Sequence, residues 1–215
     1  VFDKCVISSI TDDSRDVQKN SLFVARQGIS SHGKEFIKEA IRRGASCIIS
    51  DQNFEDRIDI PIYCLNNLED QILEILFRFH ELSVDNFIFH GVTGTNGKTT
   101  TAFMAHNIIR ELERPSIYIG TLGAFINDDL IQTKGNTTPG IFEILQILQA
   151  SKVKQKTYVF LEISSHALEQ KRLGSLYFFQ TILLNIQSDH LDYHQTHENY
   201  INAKLSITNL NNKNP

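Results

Sequence analysis

Short apolar blocks separated by polar turns run along this chain, and their period changes from segment to segment. Strand-like runs occupy 5–10, 22–25, 47–50 and 62–65. Between the second and third, residues 34–43 place Phe36, Ile37, Ala40 and Ile41 at helical spacing, and Gly44 supplies the stop. A second helix is expected after Asn67, read as its N-cap. Its apolar positions Leu68, Ile72, Ile75, Leu76, Phe79 and Leu82 recur at helical intervals. The polar stretch 83–86 interrupts the pattern and predicts two domains, 1–85 and 86–215.

From Phe87 onward the pattern becomes strand–helix–strand, repeated. Strands are predicted at 87–89, 117–119, 158–163 and 179–184, and helices at 100–112 and 141–148. These strand runs are continuously apolar, as in a parallel sheet covered on both faces. The predicted class is α/β: a small α/β domain, then a domain whose mostly parallel sheet is flanked by helices. Ligands of such sheets sit at the carboxyl ends of the strands.

The stretch from Gly91 to Thr100 joins a strand to a helix through a glycine-rich turn. Backbone amides of such a turn, with the positive end of the helix, form a nest for polyphosphate. Gly94, Thr95, Asn96, Gly97, Lys98, Thr99 and Thr100 form its core, although Val92 stands where the usual motif has its first glycine. Lys98 is placed to reach terminal phosphates, and the Thr99 hydroxyl to hold Mg²⁺.

Other strand ends also carry polar residues. Glu162 ends a buried strand, where a carboxylate needs a cation or hydrogen bonds; Mg²⁺ suits it, and a structural ion pair or cap is the alternative. The loop from Asn185 carries Asp189, His190, Asp192 and His194, able to bind metal, move protons or stay solvated. Residues 135–140, including Asn136, Thr137 and Thr138, either bind an anion or cap the next helix. Thr196 is a candidate cap for the last helix, and Lys204 on its apolar side reads as a snorkelling lysine.

Composition narrows the class. Hydrophobic residues make up 41% of the 215 and charged residues 21%, which fits a folded globular protein. The net charge of -4 argues against general affinity for nucleic acid. Cys5, Cys47 and Cys64 are far apart and form no CxxC pair, favouring a reducing cytoplasm over a disulfide or zinc framework. No apolar run is long enough to span a bilayer, so no membrane insertion is expected. The chain opens on Val1 and closes on an Asn-rich stretch, so it is expected to be a fragment of a longer protein.

Together these strings resemble the Mur ligase family of cell-wall enzymes, over the stretch from Thr11 to Lys204. The resemblance rests on Asp12-Asp13-Ser14-Arg15, Leu22-Phe23-Val24-Ala25, the loop Gly94 to Thr100, Asn136-Thr137-Thr138-Pro139, Glu162 to Arg172, and Asp189 to His194 with Lys204 downstream. The Ser164-Ser165-His166-Ala167-Leu168 string, with Gln170 and Arg172, is similar to the ligases that add the third amino acid of the peptide. The resemblance implies a UDP-sugar-binding domain at 1–85 and an ATP-binding domain at 86–215. It implies ATP and Mg²⁺ as cofactors, and UDP-N-acetylmuramoyl-dipeptide and an amino acid, diaminopimelate or lysine, as substrates. Lys98, Glu162, His190 and Lys204 would be catalytic. Thr99, Glu162, His190 and a carbamylated Lys204 would hold metal. Ser14 and the loop Gly28 to Ser31 would grip the UDP end. Asn136, Thr137, Thr138, Ser164, Gln170 and Arg172 would hold the muramoyl-peptide. A third domain closing over ATP is expected in the family, so amide formation by this chain alone is not expected. The alternatives are a folylpolyglutamate-synthetase-like ligase, a non-catalytic nucleotide-binding relative, and an ordinary phosphate-loop GTPase or kinase.

Overall fold

The computed structural model describes residues 6–28, 31–153 and 155–211. The chain forms two compact units, Val1–Phe79 and His80–Pro215.

In the first unit, β1 (Ser9–Thr11), β2 (Ser21–Ala25), β3 (Ala45–Ser50) and β4 (Ile62–Cys64) form a parallel sheet in that order. Strand β2 is buried at every position, as its unbroken apolar run requires. Phe23, Ala25 and Ile48 pack with Ile37 and Ala40 of α1 (Ile37–Arg43). Gly44 ends α1 at φ +110°, donating to Ala40 and Ile41, and a Cβ there would stand 2.9 Å from Lys19 Cα.

Three expectations for this unit shift. The first strand begins only at Ser9, whose Oγ meets Ser21 Oγ at 2.7 Å where pairing starts; Cys5 lies outside the described residues. Residues 33–36 form a 3-10 turn, so α1 is shorter than the periodicity suggests. Asn67 adopts φ +56°, not the extended backbone of an N-cap, and α2 (Leu68–Phe79) stops before Leu82.

The second unit carries a six-stranded sheet, ordered β10-β5-β9-β6-β7-β8. Its parallel strands are β5 (Phe87–Thr93), β6 (Ser116–Gly120), β9 (Thr157–Glu162) and β10 (Gln180–Leu183). An antiparallel hairpin, β7 (Gly123–Ile126) and β8 (Asp129–Ile131), extends one edge. The sequence reading missed this hairpin. Its signal is the two-residue turn Asn127-Asp128, with Asn127 at φ +53°. Helix α3 (Lys98–Glu111) packs on one face, where Val92, Ala102, Tyr118 and Phe160 form a cluster. Helix α4 (Ile141–Ala150) is apolar and mostly buried. Shorter helices follow: α5 (Ser165–Glu169), α6 (Leu191–His194) and α7 (His197–Leu205).

Strand β5 runs to Thr93, four residues beyond the expected end at Phe89. That explains Val92, which is a strand residue packed under α3 and not part of the turn. Gly91 pairs with Leu161 on one side and Thr181 on the other, and a Cβ there would lie 2.6 Å from Ile163 Cδ1. Among the described residues no helix is long and apolar enough to cross a membrane.

Candidate active site

The turn after β5 is only Gly94 to Gly97, and α3 starts at Lys98. Gly97 stands at φ +85°, a conformation that favours glycine, and turns the chain into the helix. A Cβ on Gly94 would meet Leu184 Cβ at 3.0 Å. The loop is pinned to the segment after β10. The Asn185 carbonyl accepts from Thr95 N, and the Asn185 side chain accepts from Asn96 N and donates to Asn96 O. Gln187 N donates to Thr95 Oγ1 at 2.9 Å, and Gln187 Oε1 accepts from Asn96 Nδ2 at 3.1 Å. The amides of Thr95 and Asn96 are therefore engaged inside the protein.

Two lysines converge on one carbonyl. Lys98 Nζ donates to Gly94 O at 2.7 Å and to Thr95 O at 3.0 Å; Lys204 Nζ donates to the same Gly94 O at 2.9 Å. Lys204 is 1% exposed, and its ammonium sits 4.9 Å from the Tyr200 ring centre. The snorkelling expectation is thus corrected: the amine is drawn inward by the loop carbonyl and the ring. Burial, and then the Lys98 charge, push the Lys204 amine down to about 8, against the pull of Asp189. Burial also lowers Lys98, opposed by Glu162 and Asp189. Tyr200 Oη shares a hydrogen bond of 2.9 Å with Thr95 Oγ1.

Glu162, the last residue of β9, is 0% exposed. Its Oε2 accepts from Thr99 Oγ1 at 2.9 Å and from Thr121 Oγ1 at 3.2 Å. Its Oε1 accepts from Thr121 N at 3.0 Å and from the Tyr118 hydroxyl. All these donors are neutral. A buried carboxylate satisfied by neutral donors keeps its charge available to a cation, and the hydroxyl and carboxylate oxygens suit a hard divalent one. No three His, Cys, Asp or Glu side chains among the described residues converge as a ready metal cage.

The 135–140 loop supplies the cap position of α4, Gly140, but no side-chain cap bond. Thr138 is instead buried. Its Oγ1 donates to Glu162 O at 2.9 Å and accepts from Ser164 N at 2.9 Å, tying two strand-end loops together. Thr137 Oγ1 lies 3.3 Å from Thr121 Oγ1, and Asn136 is exposed. Ser164 caps α5 by accepting from Ala167 N at 3.2 Å. Arg172 Nε donates to Gln170 Oε1 at 2.7 Å and Nη1 to Thr138 O at 3.2 Å. Gln170 Nε2 in turn donates to Tyr193 Oη at 3.0 Å.

The acid–histidine loop divides in two. His194 is 2% exposed, with Nε2 3.0 Å from Ser165 Oγ and Nδ1 2.9 Å from Glu169 Oε2. His190 is exposed, beside Asp189 at 3.5 Å, with its ring 5.0 Å from that of His166 and 6.4 Å from that of Tyr200. Thr196 does cap α7, accepting from Asn199 N at 3.1 Å. Thr100 is exposed on the first turn of α3. In the first unit Ser14 is buried, with Oγ 3.5 Å from Glu39 Oε2. Of the loop Gly28 to Ser31, Ile29 and Ser30 lie outside the described residues; Gly28 N donates to Ser31 O at 2.9 Å. A cavity of about 500 Å³ lined by Pro115, Ile117, Asn127, Lys152 and Thr157 contains none of these groups.

Sequence reasoning missed Tyr118, Thr121, Asn185, Gln187 and Tyr200. Thr121 follows the end of β6, so the strand-end rule was signal enough. Tyr118 and Tyr200 look like core residues in the sequence, because nothing there reveals where a phenol oxygen points.

Residues 92–215 match the Mur ligase middle domain, and residues 6–71 match the Mur ligase family catalytic domain. A UDP-N-acetylmuramoyl-L-alanyl-D-glutamate--2,6-diaminopimelate ligase of Clostridium tetani is 36% identical over 204 residues, covering 94% of this chain and 42% of the relative. A UDP-N-acetylmuramyl-tripeptide synthetase 2 of Oceanobacillus iheyensis is 34% identical, covering 94% and 41%. A solved structure of a UDP-N-acetylmuramoyl-L-alanyl-D-glutamate--2,6-diaminopimelate ligase superposes with a TM-score of 0.73 at 25% identity, covering 94% of this chain and 40% of that one. A MurF ligase of Thermotoga maritima in complex with ADP shares the fold, with a TM-score of 0.55 at 23% identity. The chain spans about two fifths of the length of these curated relatives. With its middle-domain match covering more than half of its residues, the chain belongs to the Mur ligase family.

Proposed function

We propose that this chain is the nucleotide- and UDP-sugar-binding part of an ATP-dependent ligase of peptidoglycan precursor synthesis. The ligase adds diaminopimelate or lysine to UDP-N-acetylmuramoyl-L-alanyl-D-glutamate, in the cytoplasm. The observation that carries this reading is the bond from Thr99 to the buried Glu162 beside the lysine-bearing loop of Gly94 to Lys98. The relatives' printed names support the substrate class.

In this reading the amides of Gly97, Lys98 and Thr99 receive the phosphates, because those of Thr95 and Asn96 are already bonded. Lys98 leaves the Gly94 and Thr95 carbonyls for the terminal phosphates. Thr100 lies on the same first helical turn. Thr99 and Glu162 hold Mg²⁺, with His190 joining from the rim; bound there, the ion neutralises charge as two anions approach. Lys204 is proposed to react as the free amine with CO₂, giving a carbamate and a proton; burial of the amine supports this. Ser14 and the loop Gly28 to Ser31 hold the UDP end. Asn136, Thr137, Ser164, Gln170 and Arg172 hold the muramoyl-peptide, and Thr138 positions their loops. Arg172 suits a carboxylate, which a guanidinium fork can bind through parallel hydrogen bonds.

The substrate carboxylate attacks the γ-phosphate, giving an acyl phosphate and ADP; the incoming amine then displaces phosphate to form the amide. Holding both reactants together supplies much of the rate. This chain alone is expected to bind these ligands without joining them, so tripeptide formation by these residues alone would overturn that part. Calorimetric titration tests the rest. UDP-N-acetylmuramoyl-L-alanyl-D-glutamate is expected to bind saturably and a folate not at all; the reverse result favours the folylpolyglutamate-synthetase-like alternative.

A further inference from the structure

The buried carboxylate of Glu162 is held asymmetrically. Its Oε2 faces two threonine hydroxyls, Thr99 and Thr121, which are rotors able to turn a lone pair toward an arriving cation. Its Oε1 faces donors that cannot turn away, the Thr121 backbone amide at 3.0 Å and the Tyr118 phenol.

We propose that Tyr118 is a positioning residue: with the Thr121 amide it holds Oε1 of Glu162 permanently, so that Oε2, beside Thr99, is the one oxygen offered to a divalent cation at the nucleotide. The inference rests on Thr99 and Glu162 being the holders of that cation.

The surroundings of Tyr118 fit this role. The residue is 0% exposed, and its ring packs edge-on against Phe103 at 5.2 Å, with Phe125 at 6.1 Å and His106 at 6.4 Å. A ring so enclosed cannot swing its oxygen elsewhere. The hydroxyl is also approached by Leu122 N, which donates at 3.4 Å and directs the phenol proton toward Glu162. Gly120 completes the clamp. A Cβ there would stand 2.2 Å from Glu162 Oε1 and 2.5 Å from Tyr118 Oη, so only glycine lets the two oxygens meet. Phenylalanine would fill the same aromatic cluster equally well. The hydroxyl is the part that packing does not require.

The test is a titration of the chain with a fluorescent ADP analogue, in Mg²⁺ and in EDTA, for the wild type and Tyr118→Phe. The wild type is expected to bind more tightly in Mg²⁺. Tyr118→Phe is expected to lose about fivefold or more of that Mg²⁺-dependent gain, the scale of one hydrogen bond, and to keep its affinity in EDTA. Equal Mg²⁺ gains in the two proteins, or equal losses with and without Mg²⁺, overturn the clamp. A wild type without any Mg²⁺ gain overturns the underlying reading of Thr99 and Glu162 instead. A second measurement needs no variant: a crystal structure of the wild type with ADP and Mn²⁺. There the ion is expected on Oε2 and Thr99 Oγ1 with Tyr118 still on Oε1; a bidentate carboxylate, or an ion on Oε1, refutes the proposal.

Discussion

The carboxyl ends of β9 and β10 flank the same loop but are built in opposite ways. At the end of β9, Glu162 is sealed from solvent and every oxygen is held by a neutral donor from β6, its following turn or α3. At the end of β10 the chain is open. Asn185 and Gln187 reach the loop through side-chain amides, and His190 stands at the surface. The first side is fixed by the sheet itself, and the second by bonds from the segment that follows β10. A sealed anion facing an open rim suits the proposed role of Glu162 in holding a cation in one place.

The strongest challenge to this contrast comes from the residue between the two sides. Lys98 feels both Glu162 and Asp189, and Lys98→Ala is expected to weaken ADP binding about 100-fold, the upper range for lost charge-assisted bonds. An affinity within a factor of two of wild type by calorimetry would mean that the loop is not a phosphate site.

A buried ammonium sharpens the second side. The folded-state value of Lys204, about 8, lies below its ordinary 10.5, so the unfolded chain binds more protons between those values. Burial of the charge therefore lowers stability below pH 8, and the penalty fades as pH rises toward 10.5. Lys204→Met is expected to melt several degrees above wild type at pH 7, with the difference shrinking by pH 10. A difference that is constant with pH would show that the amine is not buried as a cation.

The fastening of the open side predicts a smaller effect. Asn185→Ala removes both bonds to the Asn96 backbone and is expected to weaken ADP binding about fivefold, with faster hydrogen exchange at the Asn96 amide. Unchanged exchange would show that the loop holds its shape without this link.

The smallest expected effect lies in the core under α3. His106 is 0% exposed and bonded to Ser116 Oγ at 2.8 Å and Asn127 O at 3.0 Å. Burial lowers its value below the ordinary 6.5. The unfolded chain then takes up a proton that the folded chain refuses, so this contribution is complete above pH 6.5 and is lost below it. His106→Asn is expected to flatten the fall in melting temperature between pH 6.5 and 5 by a few degrees; a slope equal to wild type would contradict this.

The parallel strands and their helices were legible because unbroken apolar runs such as Tyr158 to Leu161 have few other homes. The loop of Gly94 to Thr99 and the strand-end Glu162 were legible because their residue types are costly without a partner. Other features depend on distance across the sheet, which sequence spacing does not encode. Tyr118 reads as one more core ring, and its oxygen acquires meaning only because β6 lies beside β9. Lys204 reads as a lysine snorkelling along an apolar stripe until α7 brings it to Gly94 O. The β7–β8 hairpin escaped because it is short and half exposed, so its apolar signal is weak.

The central claim is that Glu162 and Thr99 place a divalent ion against phosphates held by the loop. Calorimetry of ADP binding to the wild type and Glu162→Gln, with and without Mg²⁺, tests it most directly. The wild type is expected to gain about tenfold or more in affinity from Mg²⁺, and Glu162→Gln to gain nothing while still binding ADP. A Glu162→Gln protein that keeps the full Mg²⁺ gain would contradict the account.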